Sequence, residues 1–244
     1  MAADRSIIAS LAYWGAVAGA SLAIFGILGI QIRLLQPITG FYFFGLGTLV
    51  GGGFSLVMGL VALATTRTQP EGQGRRRAWR ASGAGFVLVG AVAASAVPGM
   101  DFPPINDITT NLEDPPAFAP PSRVPAYAGF DMHYPADFVA VVREGYPDLE
   151  TVEIRLAPGV AYARAISTAR LLGWEITDED PEAGRFDASQ TTQFFRFVDD
   201  ITVRIRPINS GSLIDIRSRS RVGRGDLGAN ATRIREFSLT LLGD

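Results

Sequence analysis

Residues 67–80 read RTQPEGQGRRRAWR, and they hold five arginines, Arg67, Arg75, Arg76, Arg77 and Arg80, against the single acid Glu71. On both sides of this loop the charge disappears. Ser6 to Ile32 and Leu34 to Thr66 upstream, and Ala81 to Met100 downstream, contain no charged side chain. Each run reaches the roughly 20 residues that a helix needs to cross ~30 Å of hydrocarbon. Lipid offers no partner to a backbone N–H or C=O, so the runs are read as three transmembrane helices within residues 1–100. Short loops rich in arginine stay in the cytoplasm. The expected topology is a multi-pass inner-membrane protein whose N-terminus, with Arg5, is cytoplasmic and whose chain after Met100 is periplasmic. Arg33 is the one basic residue on the other side. Ile7 to Ile30 exceeds the roughly 7–15 apolar residues of a signal peptide, so the first helix is expected to remain as an anchor.

The 244 residues carry a formal net charge of −2, an average over two unlike halves. Residues 1–99 have seven arginines against Asp4 and Glu71, whereas residues 100–244 have fifteen against twenty-two acids. An acidic outer half is not a nucleic-acid surface. All 22 basic residues are arginine, which fits codon bias in a GC-rich bacterial genome. The lack of cysteine excludes disulfides, thiol catalysis, iron–sulfur clusters and thiolate zinc sites. The single histidine, His133, falls in an irregular stretch and reads as solvated, and loose carboxylates alone would bind a metal weakly. No cofactor and no metal are expected.

Small residues mark the helix contacts. Gly15, Gly19 and Ala23 recur every four positions in the first span, as do Gly47, Gly51, Ser55 and Gly59 in the second, and such stripes let another backbone approach closely. The partner is either another helix of this chain or a second membrane protein docking on the Gly47, Gly51, Ser55, Gly59 stripe. No ionisable group lies inside the spans, which argues against a transporter.

Residues 101–125 are read as a proline-rich tether that docks on the domain, with Ile108 to Thr110 as a short edge strand. Residues 126–244 are read as a soluble α+β domain, an antiparallel sheet with helices on one face, and the part from 123 onward is expected to fold alone. The expected elements are a strand at Thr151–Leu156 and a helix at Gly159–Leu172. Strands follow at Trp174–Thr177, Gly184–Thr191, Phe194–Val198, Ile201–Arg206 and Leu213–Arg219. A last helix runs over about Ala231–Leu242 with Asn230 as its N-cap. The pair Asp199 and Asp200 reads as a hairpin turn.

Alternation along the last two strands collects arginines. Asp215, Arg217, Arg219 and Arg221 point one way and Ile214, Ile216, Ser218 and Ser220 the other, while Arg204 and Arg206 oppose Val203 and Ile205. Paired through Asn209–Ser212, these strands crowd five arginines onto one face. Either Asp199, Asp200, Asp215 and Asp226 neutralise them in a lattice, or the guanidinium groups form an anion site. The candidate ligand-binding residues are Arg204, Arg217, Arg219, Arg221, Asp226 and Asn230. The last two are included because the glycine-rich turn RVGRGDLGAN leads its amides into a helix N-terminus. No catalytic residue stands out.

The blocks PPINDITTNLEDPPAF (103–118) and LIDIRSRSRVGRGDLGANATRIREF (213–237) resemble the bacterial and plastid family catalogued as domain of unknown function 1499. Tyr146, Pro147, Asp148, Gly173, Trp174 and Phe197 through Arg204 share in the resemblance, which spans most of residues 102–242. It implies a membrane-anchored or exported domain, often behind several spanning helices, without an assigned activity. Three functions fit the sequence. The first is a non-catalytic periplasmic module that binds an anionic ligand or a protein. The second is an accessory subunit of a membrane complex. The third is an envelope enzyme acting on a phosphate or carboxylate, with Asp199, Asp200 or Asp226 as acid or base.

Overall fold

The computed structural model describes residues 7–67, 72–96 and 101–243. The chain divides into two compact units, residues 1–99 with Gln193–Arg196, and residues 100–192 with 197–244.

The first unit is built of helices α1 (Ile7–Gln31), α2 (Pro37–Gly45), α3 (Gly52–Thr65) and α4 (Gln73–Ala96), with a π-helical turn over Leu46–Gly51 that joins α2 to α3 without a break. Two helices are long and apolar enough to cross a membrane, Ile7–Gln31 and the continuous Pro37–Thr65. The third expected span differs. Its helix starts at Gln73, so Arg75, Arg76, Arg77 and Arg80 occupy its first turns, and residues 97–100 lie outside the described residues.

Packing in this unit is inside out. Ala9, Ala12, Ala16, Gly19, Ala23, Gly26 and Gly29 form the buried side of α1, while Leu11, Trp14, Ile24, Phe25 and Leu28 stay exposed. Gly19 is where the backbones meet, since a Cβ there would stand 2.6 Å from the Gly47 oxygen and 3.0 Å from the Gly51 Cα. Ser55 Oγ lies 2.9 Å from the Ala12 carbonyl and 3.0 Å from that of Ala81, bridging α1 and α4. A Cβ on Gly59 would meet Ser82 of α4. The four-residue stripe is therefore shared between two neighbours of the same chain. Positions four apart drift about 40° around a helix of 3.6 residues per turn, so the stripe walks from α1 to α4. The wider π turn holds Gly47 and Gly51 together on Gly19. At one end of the unit Arg77 donates to Ser10 Oγ (3.0 Å) and Arg75 to the Leu63 carbonyl (3.2 Å), bringing the start of α1, the end of α3 and the basic turns of α4 together.

The second unit contains β1 (Asp107–Thr109), α5 (Phe138–Gly145), β2 (Val152–Ile154), α6 (Pro158–Leu171), β3 (Glu175–Asp180), β4 (Arg185–Thr191), β5 (Val198–Ile208), β6 (Gly211–Ser220) and α7 (Ala229–Leu242). The sheet order is β1-β6-β5-β4-β3, with β2 also on β6, and every pairing is antiparallel. Phe186, Ile201, Val203, Ile205, Ile214 and Ile216 face the core, which Ala161, Ala165 and Ala169 of α6 and Ile234, Phe237 and Leu241 of α7 complete. Trp174 stacks on Phe237 at 4.9 Å. Helices thus cover one face of the sheet, as the alternation predicts.

Four local expectations change. Within the docked residues 101–125 the edge strand is Asp107–Thr109 rather than Ile108–Thr110, and Phe118, Ala119 and Val124 pack with Tyr127 in a second small core. Phe194–Phe197 is not strand, because Arg196 has φ 49° and the Thr192 N–H closes a turn onto the Phe197 carbonyl at 2.8 Å. Asp199 and Asp200 are not a turn but buried residues of β5, tolerated there because arginines neutralise them. Asn230 is not the cap of α7. Gly228, at φ 82°, holds that position, and Asp226 accepts the N–H groups of Gly228 (2.9 Å) and Asn230 (2.6 Å).

Candidate functional site

Directly opposed residues of antiparallel strands share a face, and the register lays charges across the sheet. Arg219 opposes Asp107 on β1 and Asp200 on β5, Asp215 opposes Arg204, and Arg217 opposes Thr109 and Thr202. Arg217 is 1% exposed; its Nε and Nη2 donate to both oxygens of Asp107 at 2.9 and 2.7 Å, and its Nη1 donates to the Pro116 carbonyl at 3.2 Å. The rings of Phe118 and Tyr134 lie 4.8 and 5.2 Å from the same guanidinium. Asp215, 0% exposed, accepts from Arg204 (2.8 Å), Arg206 (2.7 Å), Thr151 (2.7 Å) and Asn111 (3.2 Å). Arg221 holds Asp200 through two bonds of 2.8 and 2.7 Å. Arg219 is the least committed: its Nη1 reaches Met132 Sδ, its guanidinium is 5.9 Å from the Phe130 ring, and Asp107 is 3.9 Å away.

The face is also covered. Ala119 N–H donates to Asp187 at 2.7 Å, Arg204 donates to the Asp114 carbonyl at 2.7 Å, and Arg123 pairs with Asp178 and Asp180 at 2.9 and 2.5 Å. The chain from Asn111 to Tyr134 therefore lies over the charges. Burial pushes the carboxyls of Asp107, Asp187 and Asp200 above their ordinary range, against the pull of their hydrogen-bond donors. Burial acts on Asp215 too, but hydrogen bonds from Arg206, Thr151 and Arg204 outweigh it and hold that carboxyl low.

The six candidate residues thus separate. Arg204, Arg217, Arg219 and Arg221 share one face, three of them in close ion pairs. Asp226 caps α7. Asn230 is buried on the opposite face, where its Oδ1 accepts from Ser218 (2.6 Å) and Arg233 (2.7 Å) and its Nδ2 donates to Ser220 Oγ (3.0 Å) and the Asn106 carbonyl (3.2 Å). Arg233 continues this network to Asp199 at 2.5 Å and Gln190 at 2.6 Å. Two central residues, Asp107 and Arg233, escape the sequence reading. The expected edge strand, Ile108–Thr110, stops one residue short of the first; extended by that residue, its alternation sets Asp107 and Thr109 on one face.

An open cleft of about 380 Å³ lies where the outer edge of β6 is interrupted. There β2 pairs as far as Ile214 and β1 starts at Arg217. In the gap, Thr110 N–H donates to the Ile216 carbonyl and Thr110 Oγ1 accepts the Ile216 N–H, both at 2.9 Å. Asn111 and Thr151, which hold Asp215, line the cleft with Glu113, Arg143, Tyr146 and Glu150. Glu113 and Arg143 pair at 3.0 Å while 87% and 61% exposed. Tyr146 is buried, and its phenol is pushed up to about 12 by that burial.

The model of the family described as protein of unknown function (DUF1499) matches residues 107–241. The chain belongs to the DUF1499 family. The match opens on Asp107, the first residue of β1, and closes one residue short of the end of α7, so a DUF1499 unit here is the whole sheet with the charged lattice included. No curated protein matches the chain.

Proposed function

We propose that this DUF1499 protein is a multi-pass, membrane-anchored module of the bacterial inner membrane that presents a non-catalytic binding or assembly domain to the periplasm. The inside-out packing of the helical unit carries this reading. A contiguous apolar exterior over a small-residue interior is unfavourable in water and ordinary in lipid. Support for the orientation comes from the basic turns of α4 meeting the start of α1 at one end, which the positive-inside rule assigns to the cytoplasm together with a third span through α4.

The pairing of Arg204, Arg217 and Arg221 with aspartates favours a lattice that holds the sheet together over a free anion site. An anion would have to displace a carboxylate from each. Binding is better placed in the cleft at the β6 gap, where Glu113, Arg143 and Glu150 stand open to solvent with both signs of charge, an arrangement suited to a protein partner. The enzyme reading has less support, since Asp199, Asp200 and Asp226 are each engaged by Arg233, Arg221 and the α7 amides. The accessory-subunit reading keeps less of the glycine stripe than expected, because α1 and α4 occupy it.

The cysteine-free chain makes the test direct. Single cysteines placed at Gly74 and Glu182 are exposed to a membrane-impermeant maleimide in intact cells. Labelling of 182 alone agrees with the topology, and labelling of 74 alone contradicts it. For the cleft, a photo-crosslinking residue at Glu150 is expected to give a discrete product that the same residue at Glu182 does not; equal patterns would remove the cleft from consideration.

A further inference from the structure

The turn Gln193–Arg196 belongs to the helical unit, although in sequence it joins β4 to β5. Gln31 Nε2 at the end of α1 donates to the carbonyls of Gln193 (2.8 Å) and Phe194 (3.0 Å). The Phe195 ring lies edge-on to Phe41 at 5.1 Å and Phe44 at 5.2 Å, both on α2. Around these contacts the surface is aromatic and apolar: Phe194 is 64% exposed and Tyr42 65%, beside Ile32 at 70% and Leu34 at 63%. Two arginines stand among them. Arg33, two residues past the end of α1, has φ 61°, and Arg196 has φ 49°, conformations that L side chains rarely adopt. Among the described residues neither guanidinium has an ion pair, whereas most arginines of the second unit have one.

Aromatic rings and arginines at the end of a membrane helix mark the headgroup zone, where an amphipathic ring bridges oil and water and a guanidinium takes phosphate through two hydrogen bonds. We propose that Gln193–Arg196 is a membrane-contact element. It inserts Phe194 into the bilayer interface on the non-cytoplasmic side, with Arg33 and Arg196 binding lipid phosphate groups. The collar formed by Phe41, Tyr42, Phe194, Arg33 and Arg196 is then the second boundary of the hydrocarbon, at the end of α1 remote from Arg77. This also accounts for Arg33, which the positive-inside pattern leaves unexplained. The inference rests on the membrane-spanning reading proposed above.

The test uses the full-length protein in vesicles of phosphatidylethanolamine and phosphatidylglycerol, with a nitroxide at single cysteines replacing Val17, Phe194 or Glu182. Collision rates with oxygen and with a water-soluble nickel complex report depth. Labels at 17 and 194 are expected to show an oxygen-to-nickel ratio several times that at 182, and Arg196→Gln is expected to lower the ratio at 194. A ratio at 194 equal to that at 182, with 17 still in hydrocarbon, overturns the contact element and leaves the span intact. A label at 17 that reads as water overturns the span itself. An unchanged ratio at 194 in Arg196→Gln overturns the phosphate role.

Discussion

Arg217 touches both oxygens of Asp107 and two aromatic rings at almost no exposure, so its charge is internal to the fold. Removing one partner of a buried pair strands the other, at a cost of roughly 3–5 kcal/mol. Arg217→Gln is therefore expected to lower the stability of the domain by about that amount. Arg221→Gln, whose side chain is 22% exposed, is expected to cost less, about 1–3 kcal/mol for the aspartate it abandons. Denaturant melts compare the two, and near-neutral effects for both would return the arginines to solvent. The double change Asp107→Asn with Arg217→Gln should cost less than the sum of its parts, because the pair couples. Asp215 gives a pH signature. Its folded carboxyl titrates below the ordinary value of 3.8, so its stabilisation is full above that value and is lost as pH falls through the lower folded one. The stability gap between wild type and Asp215→Asn should close below pH 3.8; a gap independent of pH there would show that Asp215 is not held low.

The elements differ in how openly the sequence announces them. In β5 and β6 the alternation of Ile205, Val203, Ile214 and Ile216 with Arg204, Arg206, Asp215 and Arg217 reads directly, and the hairpin closes at Asn209–Ser210 as the turn residues require. The covering chain does not read directly, because its contacts are remote: Asp107 meets Arg217 110 positions away. Asp-Asp resembles a turn until Arg221 and Arg233 are placed against it. Phe194–Val198 resembles a strand until Arg196 enters the left-handed region. The α7 cap is legible one step off, in Asp226 of the glycine-rich turn, and Asp226→Ala is expected to cost about 0.5–2 kcal/mol of stability by thermal melt; no loss would mean the amides find water instead. In the helical unit the four-residue glycine spacing is visible, but the drift that divides it between α1 and α4 is a property of helix geometry. Gly19→Leu should disrupt the α1 contact by roughly 1–3 kcal/mol of overpacking, while Gly53→Leu, which meets nothing within 4 Å, should be tolerated. Thermal denaturation in mild detergent separates them, and equal behaviour would contradict the backbone contact at Gly19.

At the scale of the whole molecule, an apolar helical unit with a small-residue interior accompanies a DUF1499 unit whose strongest electrostatics are turned inward. Long uncharged runs and the glycine stripes make the first legible, since two helices long and apolar enough to cross a membrane stand as consecutive residues in the sequence. The second is legible as α+β but not at its boundary, because the prolines between 103 and 121 mark a docked tether, whereas Ile105, Ile108 and Phe118 pack into the cores and make it part of the domain. The boundary has a consequence for the isolated domain. A fragment of residues 101–244 keeps β1, Asp107 and the Ala119 donor to Asp187. A fragment of residues 123–244 leaves Arg217 without Asp107 and the Pro116 carbonyl, and Asp187 without the Ala119 donor. Thermal unfolding of the two fragments tests most directly whether the arginine face is the domain's own lattice: the longer one is expected to melt in a single cooperative transition and the shorter one to show none, whereas a cooperative melt of the shorter fragment at the same temperature would contradict it.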